Sequence, residues 1–328
     1  RWLVLYQGVV GTGDKAVYKD FEGTNSKGWI YDIGGIMLRG RNLYETLLLN
    51  LALVHPEEEY RATIQRPCWE RTGEEIITDL LLGYPVDNLA EIYTNWSRAI
   101  YIEPEAELDQ DFTISTVKLP EIEHRDQFLE LMTVWRYRTQ GPNKDFRTPQ
   151  KHQINASFWR SFGTIFLTKE QHDKRPGIID WFYKIAKVTQ ETHAFIESYG
   201  MESDGNATSW LPVDEYYDTL DIDQYVLTDL QEDGWVFRID GEVEKVKEIV
   251  DNILRRFVNE VQAIRNVSGN DFANKVIQKA YYEVDQPFRN WLRSLMVNED
   301  KDERIQEWRL TLRDLIRKQA EQLVQAAS

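Results

Sequence analysis

Only one cysteine, Cys68, occurs in 328 residues, which excludes an intramolecular disulfide and a cysteine-built zinc site. A reducing compartment, the cytoplasm, is the simplest setting, and neither a structural metal nor a cofactor is expected. Histidine is scarce as well: five residues, at 55, 124, 152, 172 and 193, with no His-Glu-X-X-His pair to set two imidazoles on one helix face. There is no Gly-X-Ser-X-Gly elbow and no Walker loop, and Gly11-Thr12-Gly13 lacks the third glycine of a dinucleotide fingerprint and reads as a turn. Acidic runs at 57–59 and 103–111 read as solvated loops rather than divalent-cation sites. With no catalytic constellation, the expectation is a protein that is not an enzyme. No apolar run reaches the roughly eighteen residues of a membrane-spanning helix, so no membrane partner is expected. Arg1 opens an apolar segment without an initiator methionine, from which a truncated amino terminus is expected.

What is abundant is aromatic: 11 Trp, 16 Tyr and 13 Phe, enough to build a large core. The net charge of −16 predicts weak DNA binding by the isolated chain, because phosphate contacts rest on Lys and Arg. Residues 135–176 reverse the sign, with nine basic side chains (among them Arg136, Arg138, Lys144, Arg147 and Arg160) against three acidic ones. Such a patch on an acidic body is compatible with one nucleic-acid strand on one face, or with a solvated surface.

Two domains are expected. Residues 1–235 mix short β-branched runs, at 98–102 and 112–117, with helical segments and turns, and read as an α+β body. Within it, residues 43–54 and 177–199 read as apolar helices packed in the core. Residues 236–328 change to long amphipathic helices. Apolar residues recur at three-and-four spacing from Val243 to Ile264. A second helix is expected from Asp271 to about Val284, a third opened by Pro287 and running to Leu295, and a fourth striped by Ile305, Trp308, Leu312 and Leu323. Four such helices make an antiparallel bundle.

Residues 200–210, Gly-Met-Glu-Ser-Asp-Gly-Asn-Ala-Thr-Ser-Trp, form a small-residue polar loop between aromatic-rich segments. Asp-Gly and Gly-Asn are turn formers, while Gly205 and Ala207 carry almost no side chain and Asn206 offers an amide between them. The loop is therefore either an ordinary turn or a tip that approaches a ligand closely.

Several segments taken in order resemble the CasA family, the large subunits of type I-E CRISPR surveillance complexes called Cascade. They are Met37-Leu38-Arg39-Gly40-Arg41-Asn42 leading into a Leu-rich helix, Pro67-Cys68-Trp69-Glu70, Trp96-Ser97-Arg98, Met132-Thr133-Val134-Trp135-Arg136, Phe158-Trp159-Arg160, and Phe288-Arg289-Asn290-Trp291-Leu292 followed by Trp308. The resemblance implies a non-catalytic subunit that recognises the protospacer-adjacent motif in target double-stranded DNA and helps open the duplex for guide RNA pairing. It further implies partnership with guide RNA-loaded Cascade subunits and recruitment of a helicase-nuclease effector. By the same resemblance the wedge that splits the duplex falls at Gly205-Asn206-Ala207, supported by Thr208, with Asn206 where a glutamine is familiar. The glycine loop falls at Phe21-Glu22-Gly23, with Asp20 in place of a second glycine. The basic finger falls near Asp126; an acidic residue cannot read the minor groove, and Arg125 takes the role after a one-residue shift. Two other readings stay open at this level: a fragment of an unrelated α+β hydrolase, and a protein-interaction scaffold.

Overall fold

The computed structural model describes residues 1–9, 28–94, 98–103, 105, 111, 114–118, 122, 124–152, 155–168, 174–187, 193–205, 211–266 and 269–325. In chain order its elements are α1 (Trp2–Val9), α2 (Trp29–Ile33), β1 (Gly35–Arg39), α3 (Leu43–Asn50), α4 (Gly73–Leu82), α5 (Leu89–Thr94), β2 (Arg98–Ile102), β3 (Ile114–Lys118), β4 (Trp135–Tyr137) and β5 (Arg147–Pro149). They continue with α6 (Phe162–Phe166), α7 (Gly177–Ile185), β6 (His193–Ser203), β7 (Pro212–Asp223), α8 (Gln224–Leu227), α9 (Trp235–Lys247), α10 (Arg255–Ile264), α11 (Asp271–Ser294) and α12 (Lys301–Gln325). The protein is thus α+β with long helices at its carboxy-terminal end, as expected.

The central sheet has three antiparallel strands in the order β1-β6-β7, and β2–β3 and β4–β5 form separate two-stranded pairs. β6 alternates: Ala194, Ile196 and Ser198 are buried, and two of them pair across to buried β7 residues as Ala194↔Ile222 and Ile196↔Leu220. That face meets α6, α7 and the carboxy-terminal helices in one core, whose largest fully buried side chains include Trp159, Trp235, Trp308, Phe158, Phe162 and Phe288. The core runs without a break across residue 235, since Leu220 and Ile222 share it with Val243, Phe288 and Trp308. A smaller cluster of Trp29, Ile33, Val86, Ile92 and Leu129 lies under α2.

Four expectations change. The helix expected over 177–199 stops at Ile185, and the chain returns as β6, where pairing to two neighbouring strands satisfies both edges of its backbone. The leucine-rich helix is α3. It ends at Asn50, and of its leucines Leu49 packs against the core, whereas Leu43 and Leu47 are 73% and 63% exposed. Polar contacts also tie it down. Asn42 caps it, and Asn50 brackets Leu38 of β1, its amide donating to the Leu38 carbonyl at 2.6 Å and its oxygen accepting from the Leu38 N–H at 3.0 Å. The helix over 243–264 begins earlier, at Trp235, and passes through a π-helical turn at Glu248–Leu254.

Finally, the second and third expected helices are one. α11 runs 24 residues with Pro287 inside it, so the carboxy-terminal region among the described residues holds three long helical rods rather than four. An internal proline costs about 3 kcal/mol, yet Val284, Phe288, Trp291 and Leu292 on either side of it are buried, and burial of such side chains stabilises by about 1.5–3 kcal/mol each.

Candidate nucleic-acid interface

The long β6–β7 hairpin carries the loop singled out in the sequence. Its ladder shifts register between Glu202 and Ser203, and beyond it the Asp204 N–H donates to the Leu211 carbonyl at 2.8 Å. Gly205 follows with φ +69°, a left-handed position that suits glycine, and among the described residues nothing lies within 4 Å of a Cβ built there. Asn206, Ala207 and Thr208, the remainder of the expected wedge, lie outside the described residues.

The chain that carries Gly23 is likewise outside them, and description resumes at Gly28, the residue before α2. This five-residue helix is pinned from several sides. Trp29 is 5% exposed and its indole N–H donates to the Thr133 hydroxyl at 2.9 Å. Tyr31 is buried; burial first, then the charges of Asp204 and Asp32, push its hydroxyl above its usual range. Gly34 closes the helix with φ +77°, and a Cβ there would stand 2.5 Å from the Tyr199 carbonyl oxygen and 3.3 Å from the Gly200 Cα. Glycine at 34 thus lets the backbone of β6 lie directly against the α2–β1 junction. Gly34→Ala is therefore expected to destabilise the protein by about 2 kcal/mol or more, combining a left-handed alanine with a backbone clash, read as a lower denaturant midpoint at unchanged slope.

The turn bearing Arg125 meets α2 on another side. His124 packs on Trp29 with ring centroids 4.6 Å apart. Asp126 adopts φ +49°, its N–H donates to the Arg147 carbonyl at 2.9 Å, and its carboxylate accepts from the Arg147 N–H at 2.8 Å with the guanidinium 3.5 Å away. Asp126 is thus committed to β5. Arg125 is exposed, its guanidinium carbon 4.7 Å over the Phe146 ring in the β4–β5 turn, so of the two neighbours the cation faces outward.

Much of the basic window has intramolecular work. Arg138 donates to Thr148, Arg147 holds Asp126, Arg160 stacks on Tyr281 at 3.6 Å, Arg175 pairs with Asp180 at 2.6 Å and Lys174 pairs with Glu57. Arg136 and Lys144, on the same β4–β5 hairpin that carries Phe146, are exposed. The cationic surface is accordingly narrower than the charge count implied. What sequence reasoning missed is α2 itself, whose only signal was a tryptophan bracketed by Gly28 and the Gly34-Gly35 pair.

Other chemistry finds little footing. Burial pushes the Cys68 thiol up, away from the thiolate a nucleophile needs. Among the described residues no group of three His, Cys, Asp or Glu side chains could hold a metal ion, and no helix is long and apolar enough to cross a membrane.

Residues 1–319 match the family model described as CRISPR-associated protein Cse1. The fold is similar to that of Thermobifida fusca Cse1 (TM-score 0.73, 21% identity, 98% of this chain and 62% of that one) and to Thermus thermophilus CasA (TM-score 0.62, 18% identity, 98% and 64%). It is also similar to a chain of a CRISPR RNA-guided surveillance complex (TM-score 0.58, 15% identity, 98% and 66%). The chain therefore spans less than two thirds of the length of these relatives. A search of curated proteins finds no match.

Proposed function

The chain belongs to the CRISPR-associated Cse1 family, and on that premise we propose that it serves as the DNA-reading part of the large subunit of a guide RNA-loaded type I-E surveillance complex. It recognises the protospacer-adjacent motif in duplex DNA, starts to open that duplex, and supports recruitment of a helicase-nuclease. One observation supports this reading: among the described residues, two of the segments that the family resemblance assigns to DNA, the Arg125 turn and the β6–β7 hairpin that carries Gly205, both meet α2. The Arg125 turn packs on Trp29 through His124, and the hairpin lies against Gly34 through Tyr199 and Gly200.

The physical roles differ. Arg125 presents a cation to the minor groove, where base readout is degenerate and positive charge is favoured. The Gly23 loop brings backbone close to the groove. Gly205 to Thr208 form the wedge, with the short amide of Asn206 inserted beside the first base step at an unstacking cost of about a few kcal/mol. Guide RNA pairing then reads the rest of the target.

The test is binding of the assembled, guide-loaded complex to target duplexes that differ only in the adjacent motif, across salt. Arg125→Ala is expected to lower the affinity ratio between motif and non-motif duplexes by about tenfold and to reduce the salt slope by about one. Asn206→Ala is expected to slow opening of the paired duplex while leaving binding to a target already melted beside the motif unchanged. Affinities indifferent to motif and to both substitutions would overturn the proposal.

A further inference from the structure

Glu130 is a carboxylate with 2% exposure that no DNA-facing role uses. Its two oxygens take three donors: the Tyr93 hydroxyl at 2.6 Å on one, and the Met132 N–H at 2.9 Å and the Thr133 hydroxyl at 2.5 Å on the other. Burial, and then the Glu130 charge, push the Tyr93 hydroxyl well above its usual range, so it remains a donor. Because Thr133 spends its only proton on Glu130, its oxygen is left as an acceptor aimed at the Trp29 indole N–H, 2.9 Å away and fully inside the protein. The direction of every hydrogen bond in the chain Tyr93–Glu130–Thr133–Trp29 is thereby set by one carboxylate that accepts from both hydroxyls.

The adjoining residue of the same loop references the hairpin. The Met132 carbonyl accepts from Ile36 of β1 at 3.0 Å, and its sulfur accepts from the Tyr199 hydroxyl of β6 at 3.2 Å. Trp29 in turn packs against His124, the neighbour of Arg125. We propose that Thr133, oriented by Glu130, is a positioning residue for motif readout: its hydrogen bond fixes Trp29 so that the Arg125 turn stands in one register with the β6–β7 hairpin. This rests on the proposed function. Thr133 touches no DNA; it acts through Trp29, and its loss leaves a buried indole N–H with no acceptor and a ring with no fixed orientation.

The experiment places Thr133→Val, Thr133→Ser, Trp29→Phe and the Thr133→Val/Trp29→Phe double variant in the guide-loaded complex, with Arg125→Ala as reference. It reads the affinity ratio between motif and non-motif duplexes. Thr133→Val is expected to lower that ratio about tenfold, mostly through weaker binding of the motif duplex, and Thr133→Ser, which keeps the hydroxyl, to restore it. Trp29→Phe retains a ring against His124 but removes the N–H, so it is expected to lower the ratio as well, and the double variant to be no worse than the poorer single one because both remove the same bond. A merely structural role would reduce both affinities together and leave the ratio alone; that outcome overturns the inference. A lowered ratio for Arg125→Ala with wild-type ratios for both Thr133→Val and Trp29→Phe overturns it while the reading of Arg125 stands. An unchanged ratio for Arg125→Ala removes that reading and the inference with it.

Discussion

Arg289→Met is expected to lower the stability of the fold by about 3 kcal/mol near neutral pH, seen as a fall in the denaturant midpoint or in Tm. Arg289, in the last third of α11, donates to Asp285 at 2.8 Å, to Asp218 of β7 at 2.7 Å and to the Thr219 carbonyl at 2.7 Å. The two carboxylates are themselves engaged: Asp285 accepts from the Trp159 indole N–H at 2.8 Å and Asp218 from the Phe158 N–H at 2.8 Å. One guanidinium therefore joins the helical rods, the sheet and the turn that begins the aromatic core. Methionine keeps the stem's packing but leaves two partly buried anions facing each other. Lysine is no substitute, since a point charge cannot serve three acceptors in a planar fork.

The same network sets a pH dependence. Burial by itself would raise Asp285, but hydrogen bonds from Arg289, Ser157 and Trp159 and the Arg289 charge outweigh it and hold its carboxyl below the usual range. Burial likewise opposes the Arg289 charge, and hydrogen bonds and charges of Asp218 and Asp285 overcome it and raise its pKa. A carboxylate depressed on folding contributes stability that is present above its unfolded pKa of about 3.9 and lost as pH falls through the lower folded value. Wild type is thus expected to lose this contribution below about pH 4. In Arg289→Met, burial of Asp285 is no longer offset, so protonation relieves the variant and the gap between the two proteins narrows in acid. A gap that stays constant from pH 7 to pH 3 would show that Asp285 is not coupled to Arg289 in this way.

Phe288→Ala is expected to cost about 3–5 kcal/mol, the range for removing a fully buried aromatic side chain. Phe288 sits one residue beyond Pro287 and touches three tryptophans, with ring centroids 4.4 Å from Trp159, 5.5 Å from Trp291 and 5.0 Å from Trp308. Alanine opens a cavity at the point where α11, α12 and the Phe158–Ser161 turn meet. Because the core continues from the sheet into the helices, the loss is expected in a single cooperative transition monitored both by tryptophan fluorescence and by hydrogen exchange in β6 and β7. Two transitions, with only the helical one shifted, would show that residues 236–328 fold as an independent domain.

Much of the local structure was legible. The strands expected at 98–102 and 112–117 are β2 and β3, paired Arg98↔Lys118 through Ile102↔Ile114, because β-branched runs bounded by turn residues have few alternatives. The apolar stripes of residues 243–264 and 305–323 are helical and most of their residues pack in the core, although Ile253 and Ile264 are 52% and 81% exposed; of the loop expected over 200–210, residues 200–203 are instead paired in β6, and Gly205 beyond them has a left-handed φ of +69°. The wedge and glycine-loop assignments at Asn206, Ala207, Thr208 and Gly23 came from family resemblance, and composition alone suggested only a turn.

The failures share a cause. Periodicity reports which face of a segment is apolar but not whether a partner reaches that face. Hence α3 has a helical leucine pattern yet exposes most of it, and residues 195–199 continue a helix-like run yet pair as a strand with Gly35–Arg39 far away in the chain. Pro287 is a strong local stop signal overridden by burial on both sides of it.

By itself, then, the sequence determined the α+β composition of the chain and the amphipathic rods at its carboxy-terminal end, since each depends on spacing within a few residues. Tertiary structure alone decided that Trp29 meets Thr133 across 104 positions, that Asp126 turns inward and Arg125 outward, and that Arg289 finds Asp218 across 71 positions. Those pairings depend on which chain segments the buried core brings side by side, a non-local outcome that no short stretch of residues encodes.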